Sequence, residues 1–163
     1  MSELIAKGIS AEIMAVLESQ GLPVRTSLDI DIPPFPEDVT LLDDQELMSL
    51  AAKYMENYNF VSTQVAIAAV AEMEAEDAYD YMHSRALLNT STGKSTEKAV
   101  MLKAAVMLDE EVTTLRNRKM HAYAYRKMLE TTQSSLERSY YLASRELTRR
   151  THGDKMKTNK FFA

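Results

Sequence analysis

The chain has 163 residues, 19 Lys/Arg against 24 Asp/Glu and a formal net charge of −5, a size that suggests one domain with a modest core. It contains no cysteine, which excludes disulfides and thiolate chemistry and fits a reducing compartment. No apolar run approaches the roughly 20 residues of a membrane helix, and Glu3, Glu12 and Glu18 argue against reading the first twenty positions as a signal peptide; a cytoplasmic protein with no membrane partner is expected.

Glycine and proline number four each, tryptophan is absent and methionine reaches 11. That composition favours helix almost throughout. The modest net charge hides a split. Residues 1–92 hold 4 Lys/Arg and 16 Asp/Glu, whereas residues 93–163 hold 15 and 8. Such asymmetry suits head-to-tail pairing between copies, or a basic working surface on an acidic body.

Residues 3–20 place Ile5, Ile9, Ile13, Val16 and Leu17 on one helical stripe. Gly21 and Pro23 end it, so residues 1–21 are expected as an N-terminal amphipathic helix. Residues 22–42 contain Pro23, Pro33, Pro34 and Pro36 and are expected as an extended linker. Within it, "DIDIPPF" resembles the acidic Pro-Phe tips by which single-strand-binding proteins recruit partners. Those tips end in a free carboxylate and this one is internal, so a tether packed by Ile30, Ile32 and Phe35 is the preferred reading.

Residues 43–150 are expected as one helical domain. Asp43 or Asp44 can cap the first helix, with Glu46 in its first turn. Leu47, Leu50, Tyr54, Tyr58, Val61, Val65 and Ala68 then recur at steps of three and four, a coiled-coil-like seam running to about Leu88. "NTSTGKST" (89–96) reads as a turn, followed by a short helix to about Met107. Asp109 starts a last helix with neither Gly nor Pro before Arg150. Residues 151–163 are expected as a loose basic tail. The fold class is all-α: a long antiparallel helical hairpin with a short helix near the turn, completed by oligomerisation because a lone hairpin leaves apolar surface uncovered.

Sequence patterns for catalysis are thin. "TGKS" (92–95) has Leu88 where a phosphate-binding loop needs its first glycine. Asp80 and His83 form D-x-x-H beside Glu72 and Glu76, but no partner helix repeats the pattern, so an acidic solvated face is the preferred reading over a metal site. No Ser/His/Asp set stands out. No catalytic residue, metal or cofactor is assigned, and an enzyme is not expected.

The cations of the last helix are more informative. At 100° per residue, Lys127, Arg138, Arg145 and Arg149 fall within about 20° of one line. Leu129, Leu136, Tyr140, Ala143 and Leu147 fall on the opposite side. Glu130, Glu137 and Glu146 all lie off the cationic line, which Ser134 and Tyr141 flank. Such a stripe can follow a phosphate backbone while Tyr141 stacks on a base. Two other readings stay open: a solvated face with cations suited to the helix dipole, and a surface for an acidic protein.

The order of these parts, with "AYDYMHSR" (78–85) before a polar turn and "AVMLDEEVTTLRNRKMHAYAYRKMLETTQSSLERSYYLASRELTRR" (105–150) after it, resembles the UvsY-type recombination mediators of bacteriophages. The likeness covers about residues 43–150 and lies in spacing and residue class. It implies a ring-like homo-oligomer in the host cytoplasm that binds single-stranded DNA. Such a mediator helps load a RecA-like recombinase onto strands coated by single-strand-binding protein. The family's basic Lys-x-Arg pair falls on Glu76 and Ala78 here, so that contact does not carry over. DNA contact would rest on Arg85, on Lys94, Lys98 and Lys103, and on the line of Lys127, Arg138, Tyr141, Arg145 and Arg149. The alternatives are a helical structural or scaffolding protein, as in a virion, and a partner-binding adaptor.

Overall fold

A computed structural model of the chain describes residues 9–22, 24, 32–90 and 104–160. Expectations on Ile5, Ile30, the "TGKS" segment, Lys94, Lys98 and Lys103 lie outside the described residues. Among the described residues, three long segments of helix carry the fold: α1 (Ile9–Ser19), α2 (Asp44–Thr90) and α3 (Glu110–Lys160). A 3-10 turn spans Val39–Leu41 and a helical turn spans 104–107. The described residues contain no strand, and none of their helices is long and apolar enough to cross a membrane.

The chain clusters into two compact units. The first combines Met1–Val24 with Val65–Met128, and the second combines Arg25–Gln64 with Leu129–Ala163. Each holds one stretch of α2 and one of α3. In both, partner positions rise along one helix as they fall along the other, so the pairing is antiparallel, as the hairpin reading requires.

In the second unit, Leu47, Ala51, Tyr54 and Val61 of α2 are buried, with Tyr58 half-buried between them. On α3, Leu136 and Ala143 are buried, with Leu129, Tyr140 and Leu147 half-buried. Leu47, Ala51 and Ala143 form a tight cluster against Val39, Leu42, Tyr140 and Leu147. The burial phase moves one position from the sequence reading. Ala51 is buried and Leu50 only half-buried, because strict alternation of four and three from Leu47 passes through position 51. In the first unit, Ala68 and Ala75 of α2 are buried, with Val65, Glu72 and Tyr79 half-buried on the same line. Val112 is buried on α3, with Leu115, Lys119, Ala122 and Arg126 half-buried. A mean step of 3.5 residues keeps such a stripe on its partner over many turns.

Several polar side chains that enter the seams are matched across them. Arg126 donates to both carboxylate oxygens of Glu72, and Lys119 Nζ lies 2.6 Å from Glu76. In the second unit, Gln133 donates to the Ser62 hydroxyl at 2.9 Å. These pairs specify register, since a slip of one heptad would leave part-buried groups unmatched. Glu72 is therefore not part of a solvated acidic face, whereas Glu76 and Asp80 stay exposed as expected, Glu76 while paired with Lys119.

Local sequence sets the helix ends. Asp43, not Asp44, caps α2: its carboxylate accepts from Glu46 N at 2.7 Å, and Glu46 accepts from Asp43 N at 2.9 Å, a reciprocal capping box. Asp109 caps α3 by accepting from the amides of Glu111 and Val112. α1 ends in a left-handed Gly21 (φ 75°), with Leu22 N bonded to Leu17 O and Gly21 N to Glu18 O, a Schellman closure.

Three expectations change. The linker is not extended throughout, because Asp38 caps the 3-10 turn; before it, Phe35 stacks on Tyr54 with centroids 6.2 Å apart, and the Tyr54 hydroxyl donates to Pro33 O. The tail is not loose from residue 151, because α3 continues to Lys160. No proline interrupts it, and one Gly in a helix costs only about 1 kcal/mol. Finally, α1 half-buries Ala11, Met14 and Leu17 and leaves Ile9, Ile13 and Val16 exposed.

Replacing Leu47, which is 0% exposed, by Ala is expected to cost about 3 kcal/mol, measured by urea denaturation followed by circular dichroism.

Candidate nucleic-acid interface

The seam on α3 determines which of its side chains face outward. In the second unit these include Ser134, Ser135, Arg138, Tyr141, Leu142, Arg145, Thr148 and Arg149, all exposed and none acidic. The α3 carboxylates of this unit with described side chains, Glu130, Glu137 and Glu146, sit beside the seam and are half-buried or buried. An acidic protein thus presents here an outward face free of negative charge.

Arg138, Tyr141 and Arg145 form the centre of that face. Steps of three and four residues stack them on one side of the helix. The two arginines are separated by two turns, a rise of about 10 Å. Both are exposed and make no hydrogen bond or ion pair among the described residues. The Tyr141 ring is 61% exposed and lies against Tyr140, centroids 5.7 Å apart and tilted by 55°. Tyr140 belongs to the seam, so a core side chain braces an exposed ring. Two unneutralised guanidinium groups around a braced aromatic face can pair with phosphates while a base stacks between them.

Arg149 was expected on the same line and behaves differently. Its guanidinium makes two hydrogen bonds to Glu146, both 2.7 Å. Much of its charge is already matched, so Arg149 sits on the expected line as an exposed but ion-paired cation. Arg150, its neighbour, is drawn into a network of acceptors. It donates to Glu146 and Asp44 at 2.8 Å each and to the carbonyls of Leu42, Thr40 and Val39 at 2.8, 3.1 and 3.3 Å. The 3-10 turn presents those carbonyls, held by Asp38, whose carboxylate accepts from the amide and hydroxyl of Thr40. Arg150 occupies a seam column of α3, and that phase was the available signal for its role.

Glu146 joins the two arginines and is only 8% exposed. Hydrogen bonds from Arg149 first, then Arg150, hold its carboxyl at about 2, below the ordinary 4.5. The same contacts raise both guanidinium groups.

The first unit holds the other expected contacts. Arg85 is exposed near the end of α2. Lys127 is exposed, with Nζ 5.9 Å from the Tyr123 ring centroid. Asp80 is exposed, and half-buried His83 tilts against Tyr79 at 5.6 Å. The described residues hold no group of three or more metal-ligating side chains.

No family model, curated protein or solved structure matches the chain.

Glu146 has a depressed pKa, so its contribution is complete above pH 4.5 and is lost as the pH falls towards 2. The wild-type thermal midpoint is expected to drop across that window, and that of Glu146→Gln to drop less, in circular-dichroism melts. Arg150→Ala is expected to lower the midpoint at pH 7 more than Arg149→Ala, because it strips five acceptors rather than one carboxylate.

Proposed function

We propose that the protein is non-enzymatic and binds single-stranded DNA on the outward face of α3, with Arg138 and Arg145 on phosphates and Tyr141 under a base. The observation that carries this reading is the carboxylate-free face of exposed cations, hydroxyls and one braced ring in a protein of net charge −5. An exposed π face favours single strands, whose bases are free to stack on it. The resemblance to phage recombination mediators extends the proposal to loading a RecA-like recombinase onto strands coated by single-strand-binding protein. In that role, many modest contacts are multiplied around a homo-oligomer.

The second reading is a helical scaffold built by self-association. It is favoured by the exposed aliphatic stripe of α1.

Fluorescence anisotropy with a labelled single-stranded oligonucleotide separates the two. Binding is expected to weaken with salt, with a slope near −0.7 in log K per log salt for each phosphate neutralised. Tyr141→Ala is expected to cost about 1–3 kcal/mol of affinity. Arg138→Glu with Arg145→Glu is expected to abolish binding without changing the particle mass. Absence of wild-type binding at low salt would refute the DNA-binding reading.

A further inference from the structure

Arg149 lies one turn after Arg145 on the same side of α3, yet its guanidinium already binds a carboxylate. The geometry of that pair leaves part of the side chain unused. Nε donates to Glu146 Oε2 and Nη2 to Glu146 Oε1, both at 2.7 Å, so the side-on edge of the guanidinium is taken. Arginine carries five N–H donors, and these two bonds leave three, two on Nη1 and one on Nη2. They make up the end-on edge, which has no hydrogen-bond partner among the described residues. The side chain is 66% exposed, so that edge is open to solvent.

Glu146 is held in its turn. Its Oε1 also accepts from Arg150 Nε at 2.8 Å, and the residue is buried. Arg150 has no donor left over: Nη1 goes to Leu42 O and the Asp44 carboxylate, and Nη2 to Val39 O and Thr40 O. The turn that presents these carbonyls is itself fixed. Asp38 caps it, and Val39 and Leu42 pack on the cluster of Leu47, Ala51 and Ala143. Support therefore runs from the core to the turn, then to Arg150, Glu146 and Arg149. Because Glu146 accepts from two guanidinium groups, a phosphate approaching Arg149 meets no uncompensated carboxylate there. An arginine that is already ordered also loses less conformational freedom on binding than one moving freely in solvent.

We propose that Glu146 is a positioning residue: with Arg150 behind it, it holds Arg149 so that the end-on edge of the guanidinium receives a phosphate of the bound strand. This rests on the single-stranded-DNA reading and adds a phosphate contact to those of Arg138 and Arg145. One guanidinium serves both acceptors because it is planar and its two edges are separate, one for the carboxylate and one for the phosphate. A Glu146 that merely neutralised Arg149 would act with the opposite sign. It would compete with phosphate, and removing its charge would strengthen binding. Loss of a positioning Glu146 weakens binding, even though the protein becomes less negative.

Anisotropy titrations of the full-length protein with a labelled single-stranded oligonucleotide, repeated over a range of salt, separate the two roles. Arg149→Ala is expected to weaken binding about tenfold. It is also expected to reduce the slope of log K against log salt by about 0.7, the contribution of one phosphate. Glu146→Gln is expected to weaken binding roughly three- to tenfold in the wild-type background and to have no further effect in Arg149→Ala. Each variant is titrated at a temperature where circular dichroism shows wild-type helix content. A loss that comes only from weaker folding appears equally in both backgrounds and overturns the proposal. Tighter or unchanged binding by Glu146→Gln overturns it while leaving the DNA-binding reading intact. So does an Arg149→Ala variant with unaltered affinity and slope. A wild type that does not bind at low salt overturns both.

Discussion

Side chains recurring at alternating steps of three and four hold α2 against α3, and every outward-facing position follows from that choice. Packing Leu47 and Ala51 against Ala143, Tyr140 and Leu147 removes apolar surface of the second unit from water. Seven-residue periodicity on α3 then leaves Arg138, Tyr141 and Arg145 outside. The candidate interface has no fold of its own. It is the complement of the seam, and a change of phase would bury the arginines and expose the leucines.

Polar seam positions add what apolar packing lacks. Hydrophobic burial is non-directional, so two helices with regular apolar stripes can pair in several registers. Arg126 with Glu72, Lys119 with Glu76 and Gln133 with Ser62 each match in only one. Arg150 performs a related task on the 3-10 turn, where it satisfies three carbonyls left over from the turn geometry. Arg149 and Arg150 show how strongly phase decides a cation's use. They are adjacent and about 100° apart on the helix. One side chain stays 66% exposed, while the other is 19% exposed and closes a network.

α1 obeys a different balance. At 11 residues it is too short to be stable alone, so it needs a surface to hold it. Its Glu74 tether and half-buried Ala11, Met14 and Leu17 supply only part of one. The same sequence forms one helix with two candidate stripes, and the bulkier is the one left in water.

Sequence alone determined the all-α class, the span of α2, the start of α3 at Asp109 and the apolar seam of the second unit apart from Ala51, because helical periodicity and capping are local properties carried by neighbouring side chains. It also determined that Arg138 and Arg145 oppose the seam, since that is arithmetic on one helix. Tertiary structure decided which cations are matched. Glu72 looked solvated until Arg126 lay across from it, and Arg150 gained its acceptors only when the 3-10 turn met it. Likewise, the stripe on α1 was legible, but its exposure was not. A residue's phase on its own helix is written within a few neighbours, whereas its partner lies tens of positions away and is set only when two helices pack.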